Sequence, residues 1–158
     1  MRVLSQKTKY ALRALQYLAL RRHEGPVLIS DLSEDEKIPR KFLELILLEL
    51  KNNGLLQSKK GKGGGYALRK APAEITLGQV IRLFDGPVAL MPCVSESAYS
   101  ACPECHDEAI CGTRFFMKEV LDATAKILDG TTIADVLSRS QLLESKRALS
   151  SPATGYQI

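Results

Sequence analysis

Apolar residues recur at intervals of three and four along the first part of the chain, a pattern that predicts amphipathic helices. The first helix is expected to run from Ser5, as its N-cap, to about Arg22, where a Gly-Pro pair soon follows. A second, short helix is expected to begin with Ser30 as its N-cap and to end near Lys37. The chain is thus expected to open with two helices.

A third helix is predicted directly after the second one. Pro39 would lie in its first turn, and the Asn-Gly pair at 53–54 would end it. The helix is nearly all apolar after its first turn, so we expect most of it to be buried. Arg40, Lys41 and Glu44 lie at its beginning and are expected to face outward.

Two short strand-like runs, 55–60 and 66–69, flank a turn of glycines and one lysine at 61–65. Glycine accepts positive φ angles, and the pattern predicts a β-hairpin with a basic tip. Glycine-rich loops also bind phosphates in nucleotide enzymes. This one lacks the Walker order of residues and leads into a strand, which disfavours nucleotide binding.

The second half of the chain alternates helices with an irregular segment. A helix is predicted over 76–84, and residues 92–112 show no periodicity. A long helix over 113–128 carries apolar residues on both of its sides, more than one small domain needs to bury. Self-association would cover them with a partner helix. One more short helix is predicted over 132–137.

The predicted fold is mainly α with a small β-hairpin: a winged helix-turn-helix DNA-binding region followed by a long C-terminal dimerisation helix. We expect the DNA-binding region to cover residues 1–86 and a cysteine-containing sensor loop to cover residues 87–112. The dimerisation helix and a short following helix would fill residues 113–138. The serine-rich residues 139–158 are expected to form a flexible tail.

Charge is distributed unevenly along the 158 residues, although the net charge is only +4. Residues 1–72 hold fifteen Lys and Arg against seven Asp and Glu, a net +8, and the remainder carries a net −4. A basic half favours a polyanionic partner. With neither a membrane-length apolar run of about 20 residues nor a secretory signal pattern, the expected location is the cytoplasm.

Three helices followed by a basic hairpin compose a winged helix-turn-helix. In this motif the third helix enters the major groove by its N-terminal residues, and the wing follows the backbone or the minor groove. Basic side chains would contact phosphates or bases, and the glutamate could accept a hydrogen bond from a cytosine amino group. The predicted DNA-binding residues are Arg40, Lys41, Glu44, Lys59, Lys60, Lys62 and Tyr66.

Several short motifs follow one another along the chain. They are KTKYALRAL at 7–15, GPV at 25–27, IPRKFLE at 38–44, NGLL at 53–56, GKGGGYAL at 61–68, TLGQVI at 76–81 and TTIADVL at 131–137. Together they resemble the signatures of the Rrf/IscR/NsrR family of bacterial transcription regulators over about residues 1–138. The resemblance implies a homodimer on duplex DNA, with long C-terminal helices that cross between subunits.

All four cysteines lie in one segment, at Cys93, Cys102, Cys105 and Cys111. Thiolates at this density select an iron-sulfur cluster or zinc, because both prefer sulfur ligands. Thiols that switch by forming a disulfide, for example between Cys102 and Cys105, and a loop without a cofactor are the alternatives.

The resemblance implies an iron-sulfur cluster, 2Fe-2S or 4Fe-4S, in this loop. It carries three ligands over to this chain, Cys93, Cys105 and Cys111. The additional Cys102 is the expected fourth metal ligand, and His106 is a reserve. Assembly, oxidation or loss of the centre would reorder the loop and change the separation of the two recognition helices.

Three features depart from the family pattern. Relatives often have a minor-groove arginine where this chain has Lys60, and lysine cannot offer the same flat bidentate fork. Some relatives have a histidine ligand three residues after the last cysteine, where this chain has Arg114. A carboxylate near the N-terminus, which some relatives use as a ligand, is absent from residues 7–9.

Enzymes and protein adaptors are the competing classes. A thiol oxidoreductase would use Cys102 and Cys105, yet that chemistry expects its Cys-x-x-Cys beside a βαβ unit. A zinc hydrolase is poorly equipped with only two histidines in the chain. An adaptor that binds protein through its winged helix would not need the basic wing. The sequence therefore predicts a regulator and not an enzyme.

Overall fold

The computed structural model describes residues 4–150. Within this range the chain is mainly α-helical, with one two-stranded antiparallel sheet. The helices and strands are α1 (Gln6–Leu20), α2 (Ile29–Glu36), α3 (Arg40–Asn52), β1 (Leu56–Lys59), β2 (Gly65–Leu68), α4 (Leu77–Asp85), α5 (Gly112–Gly130) and α6 (Ile133–Ser150). The predicted fold class is confirmed.

Helix α1 begins as the sequence predicts. Ser5 is its N-cap, and the Ser5 hydroxyl accepts a hydrogen bond from the backbone N–H of Thr8 at 3.1 Å. The buried face of the helix carries Ala11, Ala14 and Leu15, spaced by one helical turn. Small residues there let the neighbouring helices approach closely.

Helix α2 starts earlier than predicted. Leu28 is the N-cap in extended conformation, with no side-chain capping bond, so Ser30 is not the cap. Ser30 lies inside the helix, and its hydroxyl donates to Asp31 at 3.1 Å. The earlier start places Ile29 on the helix, where it packs against the hydrophobic core. Packing of an apolar residue therefore outweighs the local capping preference.

Helix α3 carries two apolar stripes, of which only one is buried. Its buried side chains are Leu43, Ile46, Leu47 and Leu50. Phe42, Leu45 and Leu48 are 55%, 61% and 48% exposed. The expectation that most of the helix is buried is wrong, because one face suffices to pack against the core and the other is left to solvent.

The hairpin packs beside the helices and forms the wing. Leu56 pairs with Leu68 and Lys59 with Gly65 at the two ends of the ladder. The buried side chains of Leu56 and Leu68 join the same core as α1 and α3. The predicted β-hairpin with a basic tip is confirmed.

The second half of the chain leaves the core and returns to it. Backbone bonds join Leu77 N–H to Thr131 O and Ile133 N–H to Ile75 O, both at 2.9 Å. Ile133 is fully buried, so the start of α6 packs against the winged region. Helix α5 lies in the part of the chain between these two attachment points, and none of its residues is fully buried.

Helix α6 is longer than predicted. It continues to Ser150, so the residues 139–150 that we expected in a flexible tail are helical. The reason is composition: after Ser140 the segment is rich in Gln, Leu, Glu, Lys, Arg and Ala, which favour helices. The rest of the predicted tail, 151–158, lies outside the described residues.

Among the residues that the structure describes, no helix is both long enough and apolar enough to cross a bilayer.

Candidate nucleic-acid interface and cysteine loop

The outward face of α3 carries the predicted recognition residues. Arg40, Lys41 and Glu44 are all exposed. The Arg40 guanidinium Nε lies 3.1 Å from a carboxylate oxygen of Glu44, one turn along the helix. This i,i+4 pair orients the carboxylate on the open face. Lys41 makes no ion pair within residues 4–150 and remains available to an external anion.

The wing is held in place by close backbone contacts. Val27, between α1 and α2, exchanges two backbone hydrogen bonds of 2.8 Å with Tyr66 on β2. A Cβ atom at Gly65 would lie 2.2 Å from the carbonyl oxygen of Val27. Only glycine therefore permits this approach, which anchors the hairpin to the helical body.

The turn of the wing presents lysines to solvent. Gly61 and Gly63 adopt φ angles of 87° and 70°, in the left-handed region that suits glycine. Lys59, Lys60 and Lys62 are exposed around this turn and make no ion pair in the described part of the chain. Three uncompensated positive charges at the tip of a hairpin form a surface that attracts phosphates.

Tyr66 occupies a different environment from the lysines. It is half-buried and packs against the hydrophobic core, and its backbone forms the bridge to Val27. Its ring is thus partly engaged in packing. The other six predicted DNA-binding residues are exposed.

The cysteines lie in the segment between α4 and α5, at different depths. Cys93 is buried in a short 3₁₀ turn, Pro92–Val94, and the other three are half-buried. Cys111 is the N-cap of α5, and its sulfur accepts a hydrogen bond from the backbone N–H of Arg114 at 3.4 Å.

The structure brings Cys105 and Cys111 together. Their side chains lie near enough to shift each other's pKa. The hydrogen bond from the Arg114 N–H stabilises the Cys111 thiolate and lowers its pKa, whereas desolvation raises the pKa of Cys105. Cys102 is linked through its carbonyl, which accepts from Cys105 N–H at 3.2 Å.

Arg114 joins the loop to the first turn of α5. Its Nε donates to the carbonyl oxygen of Cys93 at 3.2 Å and lies 3.5 Å from a carboxylate oxygen of Glu108. The Tyr99 hydroxyl donates to the same carboxylate at 3.0 Å, and this hydrogen bond raises the pKa of Tyr99. In the sequence, Arg114 stands out only as a departure from the family pattern, and no local signal there indicates this network.

No three Cys, His, Asp or Glu side chains converge on a metal-binding point within residues 4–150. His106, the reserve ligand, is exposed. The kinds of donor nevertheless suit a thiophilic centre, because four sulfurs lie in one loop and soft ligands select iron-sulfur or zinc. The donor set fits such a group, although the thiols are not gathered around one point here.

Helix α5 presents a broad apolar surface. Phe115, Phe116 and Ile127 are 62%, 61% and 67% exposed, and Val120 is 41% exposed. A groove beside this surface is lined by further apolar side chains from the end of α4 and the segment after it. Its apolar lining includes Leu4, Ile81, Phe84, Val88 and Leu90.

Comparison with known protein families decides the identity of this architecture. The model of the Rrf2 family, described as iron-dependent transcriptional regulators, matches residues 4–139. The chain belongs to the Rrf2 family. The match covers the winged region, the cysteine loop, α5 and the start of α6.

Individual Rrf2-type proteins agree with this assignment. A putative rrf2-like HTH-type transcriptional regulator from Rhodobacter capsulatus is 40% identical over 139 residues, which are 86% of this chain and 93% of the relative. The HTH-type regulator IscR from Erwinia tasmaniensis is 32% identical, over 89% of this chain and 81% of the relative. The structure of CymR, the global cysteine regulator of B. subtilis, superposes with a TM-score of 0.73 and 29% identity, covering 88% of this chain and 98% of CymR.

Membership in the Rrf2 family confirms two predictions from the sequence. The chain is a DNA-binding transcriptional regulator, and it is not an enzyme. The family resemblance deduced from the short motifs is confirmed as well.

Proposed function

We propose that this Rrf2-family chain acts as a homodimer that grips duplex DNA with two copies of α3 and the wing. The observation that carries the proposal is the exposed charged face of α3 on the same core as a hairpin tipped by three unpaired lysines. A helix of this kind enters the major groove, and a basic wing follows the phosphates beside it. The cytoplasm, where bacterial DNA lies, is the proposed place of action.

Residues at the beginning of α3 make the base contacts in this proposal. Lys41 supplies a donor to guanine or phosphate, and Glu44 accepts a hydrogen bond from a cytosine amino group. Arg40 holds the Glu44 carboxylate at 3.1 Å, so the acceptor is oriented before DNA arrives. Part of this ion pair is exchanged for contacts to DNA, which costs little because both groups are exposed.

Lys59, Lys60 and Lys62 supply the sequence-independent part of the affinity. Each lysine that neutralises a phosphate releases a counterion, which makes binding dependent on salt. Lysine acts as a point charge and not as a flat fork, so we assign these residues to the backbone and not to base reading. Tyr66 supports the wing from within, and any DNA contact it makes is through the exposed part of its ring.

Helix α5 pairs with its copy in the proposed dimer. Its exposed apolar residues adjoin the groove, which extends from Val120 on α5 past Phe84 at the end of α4 to Leu4. An exposed apolar surface of this kind marks an interaction site, and twofold pairing buries the same surface on both subunits. The dimer then sets the spacing between the two recognition helices.

The cysteine loop is the proposed sensor, and it holds an iron-sulfur cluster. Cys93, Cys105 and Cys111 would be three ligands, with Cys102 as the fourth and His106 as the reserve. Such a cluster supplies sensitivity to iron supply and to oxidants, either as 2Fe-2S or as 4Fe-4S. Support comes from the donor chemistry of the loop, from the family description and from the IscR relative. Zinc on the same thiols is the alternative metal.

A thiol switch is the second candidate, and one observation favours it. The side chains of Cys105 and Cys111 lie near enough to shift each other's pKa, whereas the sequence suggested Cys102 and Cys105 as the pair. Hydrogen peroxide would oxidise this pair: a disulfide forms, and the two electrons and two protons lost by the thiols convert peroxide to two water molecules. Once Cys111 is in a disulfide, its sulfur can no longer cap α5 as a thiolate.

Purification without oxygen separates these sensor candidates. Iron, sulfide, zinc and visible absorption are measured on the same sample that is assayed for DNA binding. A cluster is expected to give iron and sulfide in near-equal amounts, both lost from Cys105→Ser and Cys111→Ser. Full zinc occupancy without iron would refute the cluster. A metal-free protein that loses DNA affinity with peroxide and regains it with dithiothreitol would establish the thiol switch.

A further inference from the structure

The outward face of α3 exposes large apolar side chains among its charged ones. Leu45 is 61% exposed and Leu48 is 48% exposed. Leu45 lies one turn after Lys41 and directly after Glu44, so the leucines share the face that carries the charged recognition residues. The opposite stripe of α3 already packs into the core. The exposed leucines therefore have no packing role in the described part of the chain.

The surroundings of Leu45 favour DNA over protein as its partner. Lys41 lies one turn before Leu45 on the same exposed face, and residues 1–72, which include this helix, carry a net charge of +8. A protein partner would have to desolvate these charges, whereas the DNA backbone neutralises them. An apolar side chain in the major groove finds one apolar group on the base edges, the 5-methyl of thymine.

We propose that Leu45 is a specificity-determining residue that contacts the 5-methyl group of a thymine beside the base contacted by Glu44. The inference rests on the proposed function and names one further base in each half-site. Leu45 is favoured over Leu48 because the N-terminal turns of a recognition helix lie nearest to the base edges. Leu48, one turn further on, covers Leu45 from solvent in the complex.

The expected size of the effect follows from the transfer of one methyl group out of water. Its burial against a leucine side chain contributes about a fourfold change in affinity for each half-site. In a dimer on a two-fold site the methyl groups of both half-sites count, which gives about sixteenfold when both are removed.

The experiment uses the full chain and DNA of defined composition. Binding sites are selected from a random duplex pool with the wild-type protein, and each thymine of the selected site is then replaced by uracil, which lacks only the methyl group. Uracil at the contacted position is expected to weaken binding about fourfold when it replaces thymine in one half-site and about sixteenfold when it replaces thymine in both. Leu45→Ala is expected to bind thymine and uracil sites equally, both as weakly as the wild type binds uracil.

A matched control separates a direct contact from general damage. Leu20→Ala removes an equally exposed leucine, 57% exposed at the end of α1, and is expected to keep the full thymine preference. Because Leu45 is exposed, Leu45→Ala is expected to unfold at the wild-type temperature. This comparison shows that a missing thymine preference does not come from a misfolded protein.

The outcomes distinguish the inference from the function on which it rests. A wild-type protein that enriches no DNA would remove the proposed function itself. Enrichment of a site at which no uracil substitution weakens binding, or a thymine preference that survives Leu45→Ala, would overturn only the role of Leu45. A change in the oligomeric state of Leu45→Ala with unchanged thymine preference would assign this face to a protein contact and equally refute the inference.

Discussion

Arg82 donates two parallel hydrogen bonds to Asp129, one from each terminal nitrogen, at 2.5 Å and 2.9 Å. This bidentate pair joins α4 of the winged region to the last turn of α5. Gly78 lies directly beneath it, and a Cβ atom there would come within 2.0 Å of the Asp129 carboxylate. The junction between the two regions is therefore closely packed as well as charged.

Breaking this pair is expected to destabilise the fold modestly and in a pH-dependent way. Arg82→Ala should lower the free energy of unfolding by about 0.5 to 1 kcal/mol at pH 7, since both groups are partly exposed. The hydrogen bonds from Arg82 hold the pKa of Asp129 below the ordinary pKa of an aspartate. The pair therefore stabilises the fold fully above the ordinary pKa, and this stabilisation is lost as the pH falls through the lowered pKa of Asp129. Urea unfolding at pH 7 and below pH 4 measures both effects.

The conservative variant Arg82→Lys is the control for the geometry of this pair. Lysine keeps the charge but not the fork, so it should recover only part of the stability. Equal destabilisation by Arg82→Ala at neutral and at acidic pH would contradict the assignment to Asp129.

Replacing Lys59, Lys60 and Lys62 by alanine is expected to flatten the salt dependence of DNA binding. Each phosphate that the wing no longer neutralises should reduce the slope of log affinity against log salt by about 0.9. Fluorescence anisotropy with a selected duplex between low and moderate salt gives the slope. Lys146→Ala removes an exposed lysine from α6 and should leave it unchanged. A triple wing variant with the wild-type slope would refute the role of the wing.

A charge in the apolar surface of α5 is expected to separate the proposed dimer. Ile127→Glu places a carboxylate where the wild-type side chain is 67% exposed, so the monomer should remain folded. Sedimentation equilibrium should show a dimer for the wild type and a monomer for the variant, with DNA affinity reduced at least tenfold. Leu143→Glu, at another exposed leucine on α6, is the control and should remain dimeric.

Tyr17 is expected to make stability fall at alkaline pH. Burial, together with a hydrogen bond to Asp35, raises its pKa to about 12. Because an unfolded tyrosine ionises near pH 10, the contribution of Tyr17 is complete below that pH and is lost as the pH rises toward 12. Wild type and Tyr17→Phe are compared by urea unfolding from pH 8 to 12, and the stability difference between them should shrink over this window. A constant difference would contradict the raised pKa.

The order of elements could be predicted from the sequence because capping and breaker residues are local signals. Ser5 at the start of α1 and the glycines of the wing act through their own backbone and nearest neighbours. The start of α2 could not be predicted in the same way. There the packing of Ile29 against residues far along the chain decided the boundary.

The exposed leucines of α3 show a second limit of prediction from the sequence. Periodicity identifies apolar faces but does not say which face meets the core, and Leu43 and Leu45 look alike in the pattern. The cysteine loop shows a third limit. The Cys-x-x-Cys spacing suggested Cys102 and Cys105 as a pair, whereas in the fold Cys105 and Cys111 are near enough to shift each other's pKa. Spacing along the chain does not show how an irregular loop folds back on itself.

Helix α5 is fastened at both of its ends, to the cysteine loop through Arg114 and to α4 through Asp129. With 19 residues it is about 28 Å long. Such a rod acts as a lever arm: a tilt of about 5° at the Asp129 end displaces the opposite end by about 2.5 Å. In the proposed dimer, a rearrangement of that size in the loop would therefore change the angle at which the two subunits meet.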